Sequence, residues 1–341
     1  VEGSGQYRNI SAVPANPSGV APENMPERFQ WTAALELSPH DPATLYHGAN
    51  VLFRSRDRGE NWERISPDLT RNDKAKQQWS GGPITGDNTG VEVYGTIVSI
   101  DESALTRGEI WVGSDDGRVH ISRDAGASWQ DITPSGLPVD ATVKSLRTSR
   151  HQAGRAYLVA HRYRLGDDQP MVWVSDDGGK RWRSLSSSLP KDQPLFSIAE
   201  DELDPSMLYL GAERALYASA DRGGSWRSIQ LNLPPVAVVD LETAHNDLII
   251  GTRGRGMYVF HDLTALRQVL TSAPSQAFLA KPANATRWRN EYRWGEDNST
   301  ENPPYGALVS YYLPKALQGE LKLRVSDAKG QRIRELSSIA R

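Results

Sequence analysis

Three stretches of this chain gather residue types that could act on a ligand together. His161-Arg162-Tyr163-Arg164-Leu165-Gly166-Asp167-Asp168 sets cations, an aromatic ring and carboxylates side by side. That mixture suits a sugar or a peptide terminus, because carboxylates and guanidinium groups bond hydroxyls and charged ends while a ring packs against a sugar face. The competing reading is a cluster of salt bridges between structural units. Gly251-Thr252-Arg253-Gly254-Arg255-Gly256 presents Arg253 and Arg255 between glycines, and Arg253 is suited to grip a carboxylate with two nitrogens. Its bland alternative is a tie between units, with Glu213 at the equivalent turn of the preceding unit as its partner. The third stretch, residues 71–94, contains Trp79, Gly81, Gly82, Asp87, Asn88, Glu92 and Tyr94, and reads either as a ligand loop or as a solvated connector.

Several chemistries are unsupported. The seven His show neither H-E-x-x-H nor paired spacing, so no metal and no cofactor is expected. Asp115-Asp116 and Asp176-Asp177 lack the ladder of a calcium loop. No G-x-S-x-G elbow provides a serine nucleophile, and Gly251–Gly256 is neither a dinucleotide nor a phosphate loop. Most glycosidases need two carboxylates flanking the bond, and sialidases use a Tyr nucleophile. Arg147, Arg162, Arg253 and Arg255, with Tyr94 and Tyr163, are available, but no arrangement singles out a trio.

The elements that must position these residues are announced by a repeat. The pattern S-x-D-x-G-x-x-W occurs four times: Ser55/Asp57/Gly59/Trp62, Ser122/Asp124/Gly126/Trp129, Ser175/Asp177/Gly179/Trp182 and Ser219/Asp221/Gly223/Trp226. An apolar run precedes each box and an aliphatic residue (Ile65, Ile132, Leu185, Ile229) follows each Trp. Each box therefore reads as a β-hairpin staple. The Asp bonds backbone N–H groups two residues on, the Gly supplies positive φ, and the Trp covers the apolar side of its own hairpin. These residues are structural, not catalytic.

Around each box the chain spells four strands, a unit recurring about every 45 residues, as expected of a β-propeller blade. A fifth unit, through Met257–Phe260, lacks a box and an outer strand. Tyr7-Arg8-Asn9-Ile10-Ser11 copies the strand after a box, with Tyr7 in the Trp place and Ile10 three residues on. It closes the ring onto unit five or belongs to a larger propeller, and the second is preferred. The expected organisation is an N-terminal segment (1–30), blades (31–267), a linker (268–304) and a partial module (305–341). Asp262–Gln268 is expected as an exit helix capped near Thr264, and Ala307–Leu313, Leu321–Val325 and Ile333–Leu336 as strands starting an immunoglobulin-like β-sandwich.

Composition agrees. With no Cys, neither disulfides nor thiolate sites hold the fold, while 10 Trp, 29 Gly and 21 Pro suit a turn-rich all-β chain. A net charge of −3 leaves no footprint for nucleic acid, and no apolar run is long enough for a membrane span. Asn9, Asn284 and Asn298 lie in N-x-S/T sequons.

The box resembles the Asp-box (BNR) repeat of sialidases, sortilin-type receptors and secreted bacterial propellers. Residues 31–267 resemble the large sortilin-like bacterial proteins often labelled glycosyl hydrolases, in Tyr94-Gly95-Thr96, Gly113-Ser114-Asp115-Asp116-Gly117-Arg118-Val119, His161-Arg162-Tyr163-Arg164, Leu210-Gly211-Ala212-Glu213 and Gly251–Gly256. The resemblance implies an all-β propeller and a secreted, periplasmic or cell-envelope location. It carries less about function, because that label rests on fold alone. The expected role is a non-catalytic scaffold engaging a glycan, peptide or protein partner. The alternative is an exo-acting glycoside hydrolase of sialidase type, although no Arg-Ile-Pro phrase precedes the first blade.

Overall fold

A computed structural model describes residues 5, 7–81, 84, 86–285, 306–317 and 319–338. Gly82, Asn298 and the rest of the expected linker from residue 286 lie outside the described residues. The chain divides into two compact units, Val1–His261 and Asp262–Arg341.

The first unit holds five antiparallel sheets, each a meander in chain order. Their first strands are Leu35–Leu37, Ile97–Glu102, Thr142–Thr148, Leu195–Glu200 and Val238–Ala244. Second and third strands follow in each, and a two-residue fourth strand after the box closes the first four sheets. The fifth sheet has three strands and ends at Met257–Phe260. All five first strands line the same central cavity. Five meander sheets whose first strands share one channel are blades of a β-propeller.

The core lies between blades. Trp111, Val119 and Ile121 of blade two pack with Val143, Leu146 and Leu158 of blade three in one apolar cluster. Blade three in turn meets Ile198, Leu210 and Trp226 of blade four. This explains why the second strand of blade three, Ala156–Arg162, is buried almost end to end rather than on alternate residues. It also explains the glycines that close the second strands. A Cβ at Gly113 would collide with Val143, and one at Gly211 with Val238, each on the first strand of the next blade. Tyrosines add polar locks: the Tyr46 hydroxyl donates to Glu102 at 3.1 Å, and Tyr157 to Glu200 at 3.1 Å, each reaching the following blade.

The boxes form the expected hairpins with a different bonding scheme. The expected bond from the Asp to the N–H two residues on, that of the box glycine, does not form. In the third box Ser175 Oγ donates to Asp177 Oδ1 (3.1 Å) and itself accepts the Gly179 N–H (2.9 Å), while Asp177 accepts the N–H of Arg181, four residues on (2.9 Å). The fourth box corrects the expectation in the same way. The Gly223 N–H donates to Ser219 Oγ at 2.8 Å rather than to Asp221, which takes the N–H of Ser225 at 2.8 Å. Gly59 and Gly126 likewise donate to Ser55 and Ser122, and Asp57 and Asp124 accept from Asn61 and Ser128. The reason is geometric: the serine hydroxyl stands between strand and turn and reaches the glycine first, which frees the carboxylate for the far side of the loop. The positive φ is as expected, 83° at Gly179 and 82° at Gly223.

The Trp does more than cover its own hairpin. Trp129, Trp182 and Trp226 donate their indole N–H to the carbonyl oxygens of Ile65, Ile132 and Leu185, in the fourth strand region of the preceding blade, at 2.8–2.9 Å. Trp62 makes the same bond to Ile10, at 2.9 Å. The box glycine presses on that same aliphatic. A Cβ would stand 2.9 Å from Ile65 on Gly126, 2.6 Å from Leu185 on Gly223 and 2.7 Å from Ile10 on Gly59. Ile10 therefore stands toward Trp62 and Gly59 as Ile65 stands toward Trp129 and Gly126, although residues 7–11 pair with no strand among the described residues. The free flanks are apolar: Leu35 and Leu37 of blade one and Met257 of blade five are exposed.

The second unit opens with a helix, Thr264–Ser272, longer than expected. Thr264 is its first residue, next to the Leu263 cap as expected, and Asp262 accepts the Thr264 N–H at 3.1 Å. The strand expected over Ala307–Leu313 is confined to Tyr311–Tyr312, paired with Phe278–Leu279 from the expected linker. Lys322–Ser326 and Arg332–Ser337 form a hairpin through the Asp327–Gly330 turn, where Gly330 has φ 80°.

Candidate functional site

Each blade's second and third strands are joined at the channel end where the first strands begin, and the three candidate stretches lie at that end. The box hairpins join third to fourth strands. In the boxes the serine and backbone bonds leave the carboxylates committed. Hydrogen bonds from Ser128 hold Asp124 down to about 2, and those from Arg181 do the same for Asp177. Such groups are ionised throughout the neutral range and cannot donate a proton there.

The stretch after the second strand of blade three forms one wall of the mouth. His161 is buried, with its ring centroid 4.8 Å from Tyr163 and 5.2 Å from Phe196, the second residue of blade four's first strand. Tyr163 meets Phe196 edge-on at 5.8 Å. Arg253, from blade five, lays its guanidinium over Phe196 at 4.9 Å and reaches Tyr163 at 5.9 Å, and Arg164 sits over Tyr163 at 5.1 Å. Two loops and the start of a first strand, from three blades, thus converge. Arg253 does not pair with Glu213 as expected. Its charge sits on aromatic faces, while Glu213 is anchored through its backbone N–H to Pro194 (3.0 Å). Burial pushes the His161 imidazole down to about 3, with Arg164, Lys144 and Arg253 adding to the effect, so His161 is a neutral ring here. Arg162 pairs within its own loop with Asp167 at 3.3 Å, and its Nε is a buried donor without a partner. Asp168 and Arg255 are exposed.

Tyr94 and Glu92 belong to a separate cluster. The Tyr94 hydroxyl donates to Asp140 at 2.6 Å, and Lys76 reaches the same carboxylate at 2.6 Å. Burial, then the Asp140 bond, pushes the phenol up, so Tyr94 is no ready nucleophile. Arg71 donates its backbone N–H to Asp116 at 2.7 Å. These bonds strap residues 71–76 and Tyr94 to blades two and three. Glu92 is exposed. Asp115 accepts from the N–H groups of Gly95 and Thr96, from the Thr96 hydroxyl and from Gln30 at 2.8–3.0 Å, which leaves no lone pair for a substrate.

Below the mouth the first strands enclose about 430 Å³. Charged side chains project inward from them, and sequence reasoning missed most of these. Arg147 spans the channel, 3.7 Å from Asp101 of blade two and 3.6 Å from Asp240 of blade five. Glu36 of blade one shares this space. Its burial and the neighbouring Asp101 raise its carboxyl to about 7 against the pull of Arg147, so Glu36 is half protonated near neutrality. The available signal was the charge itself: Glu36, Lys144 and Asp240 sit within apolar stretches that read as first strands, and Arg147 and Glu242 directly follow two of them. Among the described residues no group of three or more His, Cys, Asp or Glu is placed to hold a metal ion. Among them, too, no helix is long and apolar enough to cross a membrane.

Known proteins share this architecture. A xyloglucanase from Paenibacillus sp. is 23% identical over an alignment covering 66% of this chain and 25% of its own length. The vacuolar protein sorting/targeting protein 10 of Laccaria bicolor is 32% identical over 76 residues, which are 22% of this chain and 5% of that protein. This chain therefore spans a quarter or less of the curated relatives it matches. The crystal structure of a GH74 xyloglucanase from Xanthomonas campestris superposes with a TM-score of 0.51 at 20% identity, over 67% of this chain and 36% of that one, a likeness of fold. Residues 49–261, more than half of the chain, match the DUF6242 beta propeller domain. The chain is thus a β-propeller related to the xyloglucanases, and it belongs to the DUF6242 beta propeller domain family.

Proposed function

We propose that this propeller belongs to a secreted or envelope protein and binds a glycan at the mouth formed by blades three, four and five. The observation that carries the reading is the convergence of Tyr163, Phe196 and Arg253 from three blades over a channel of about 430 Å³. An aromatic wall with guanidinium donors, at the end where propeller loops gather, is the chemistry of sugar recognition. The relatives named as xyloglucanases lend support, because they act on a polysaccharide. In the same reading the four boxes are Asp-box (BNR) repeats and residues 305–341 begin an immunoglobulin-like module. Ile10 and its neighbours are the outer strand of a blade supplied by more of the same propeller, a role supported by the Trp62–Ile10 bond. The test is a glycan panel, including sialosides and xyloglucan oligosaccharides, read for both saturable binding and released sugar. Binding without release, weakened at least tenfold by Tyr163→Ala with an unchanged melting temperature, supports the reading. Absence of binding across the panel refutes it.

One observation favours a second reading, a glycoside hydrolase. Glu36 is a carboxylic acid poised near neutrality, and a carboxyl raised to about 7 is suited to act as the general acid of such enzymes. Release of sugar by the wild type, abolished in Glu36→Gln with binding intact, would select it.

A further inference from the structure

Many of the less exposed cations in this propeller are answered by carboxylates. Arg28 meets Asp68 at 3.0 Å, Arg118 meets Asp131 at 2.7 Å, and Arg155 meets Asp176. The mouth departs from that habit. Lys144, Arg164 and Arg253 converge on the buried His161 from two blades, and among the described residues none has a carboxylate within ion-pair distance. Asp240, the carboxylate that acts on Lys144, is also engaged by Arg147 at 3.6 Å. Arg164 and Arg253 are exposed, with their guanidinium carbons over the Tyr163 and Phe196 rings. Burial lowers the Lys144 ammonium, with Arg253 and Arg164 pressing the same way against Asp240. Like charges gathered at one mouth repel one another, and Asp240 and the two rings offset this only in part, since Lys144 is still pushed down. An anion seated among them would offset that repulsion, and a guanidinium over a ring still has N–H groups for a two-pronged bond to a carboxylate.

We propose that the mouth is an anion-selective site, and that the glycan it takes is an acidic one carrying carboxylates on successive sugars, as in a uronate oligosaccharide. The inference rests on the glycan reading above and narrows it. A single peptide C-terminus answers one cation, whereas a short uronate chain offers a carboxylate to each of three.

Trigalacturonate and the neutral cellotriose, titrated into the protein by calorimetry at low and at physiological salt, separate the possibilities. The site as described binds trigalacturonate at least about tenfold more tightly than cellotriose, which corresponds to about 1.4 kcal/mol. Added salt weakens only the acidic ligand. Arg253→Gln and Arg164→Gln, both on exposed side chains, each cut trigalacturonate affinity several-fold, leave cellotriose unchanged and keep the melting temperature. Arg253→Lys, which keeps the charge but not the fork, falls between. Equal affinity for the two sugars overturns acid selectivity while leaving the glycan reading standing. A carboxylate-ended tripeptide that outcompetes trigalacturonate overturns the assignment to a glycan. Failure to bind either sugar, with variants and wild type equally folded, removes both.

Discussion

Replacing Trp226 by Ala tests the idea that the boxes lock blade to blade. The ring is 8% exposed and lies in the cluster shared by blades three and four. A large aromatic buries roughly 150–250 Å², worth about 4–6 kcal/mol at about 25 cal/mol per Å². Part of that area is kept by the alanine and part is recovered by relaxation, so the measured cost should fall at about 3–5 kcal/mol. Trp226→Phe separates packing from bonding, because it keeps most of the ring and loses only the 2.9 Å bond to the Leu185 carbonyl. Leaving that acceptor without a partner should cost about 1–3 kcal/mol. Trp31, 71% exposed, is the control, and its change to Ala should move stability by less than about 0.5 kcal/mol. Urea unfolding followed by far-UV circular dichroism gives all three values on one scale. A Trp226→Ala cost below about 1 kcal/mol, or one equal to that of Trp31→Ala, would refute the inter-blade lock.

Two further perturbations follow from the same structure. Gly179→Ala places a Cβ at φ 83°, 2.5 Å from Ile132 Cδ1, so it should destabilise by at least about 1–2 kcal/mol, read as a lowered melting temperature; an unchanged melt would mean the contact yields freely. Glu36 supplies the pH dependence: its folded carboxyl titrates near 7 against an ordinary 4.5, so the folded state holds the extra proton between those values, and stability falls as pH rises from about 4.5 through 7. Glu36→Gln should flatten that limb and raise the melting temperature at pH 8, whereas an unaltered profile would show that Glu36 is not the group responsible.

Much of the fold was legible because it depends on local spacing. Each box lies within one hairpin, so its Ser, Asp, Gly and Trp can be recognised together. Which of them bonds which is less legible: spacing alone does not say that Gly223 answers Ser219 while Asp221 answers Ser225. What stayed hidden was long-range. The Trp129 indole ends on the carbonyl of Ile65 and the Trp226 indole on that of Leu185, and no local pattern states that a Trp reaches the preceding blade. Ile10 is the instructive exception: its phrase copies Ile65 and Ile132, and it is found accepting the same bond. For the site, the sequence points to His161, Tyr163 and Arg253, and the structure brings them to the mouth, because polar and aromatic loops after second strands face that end. Phe196 reads in the sequence only as a strand residue, since which face of a first strand meets the channel depends on bulges such as the one between Leu195 and Ser197. The expected Arg253–Glu213 pair fails for a related reason: the Arg253 guanidinium sits over the Phe196 ring, 4.9 Å from its centroid. Glu36, Asp101 and Asp240 carry no motif, and only the closing of five strands around one axis brings them together.

The most direct test of the account is a crystal structure with the tightest-binding oligosaccharide of the panel soaked in. The sugar should lie at the mouth, against Tyr163 and within bonding distance of Arg253. A sugar held elsewhere, on the box hairpins or the outer strands, with the mouth empty, would contradict it.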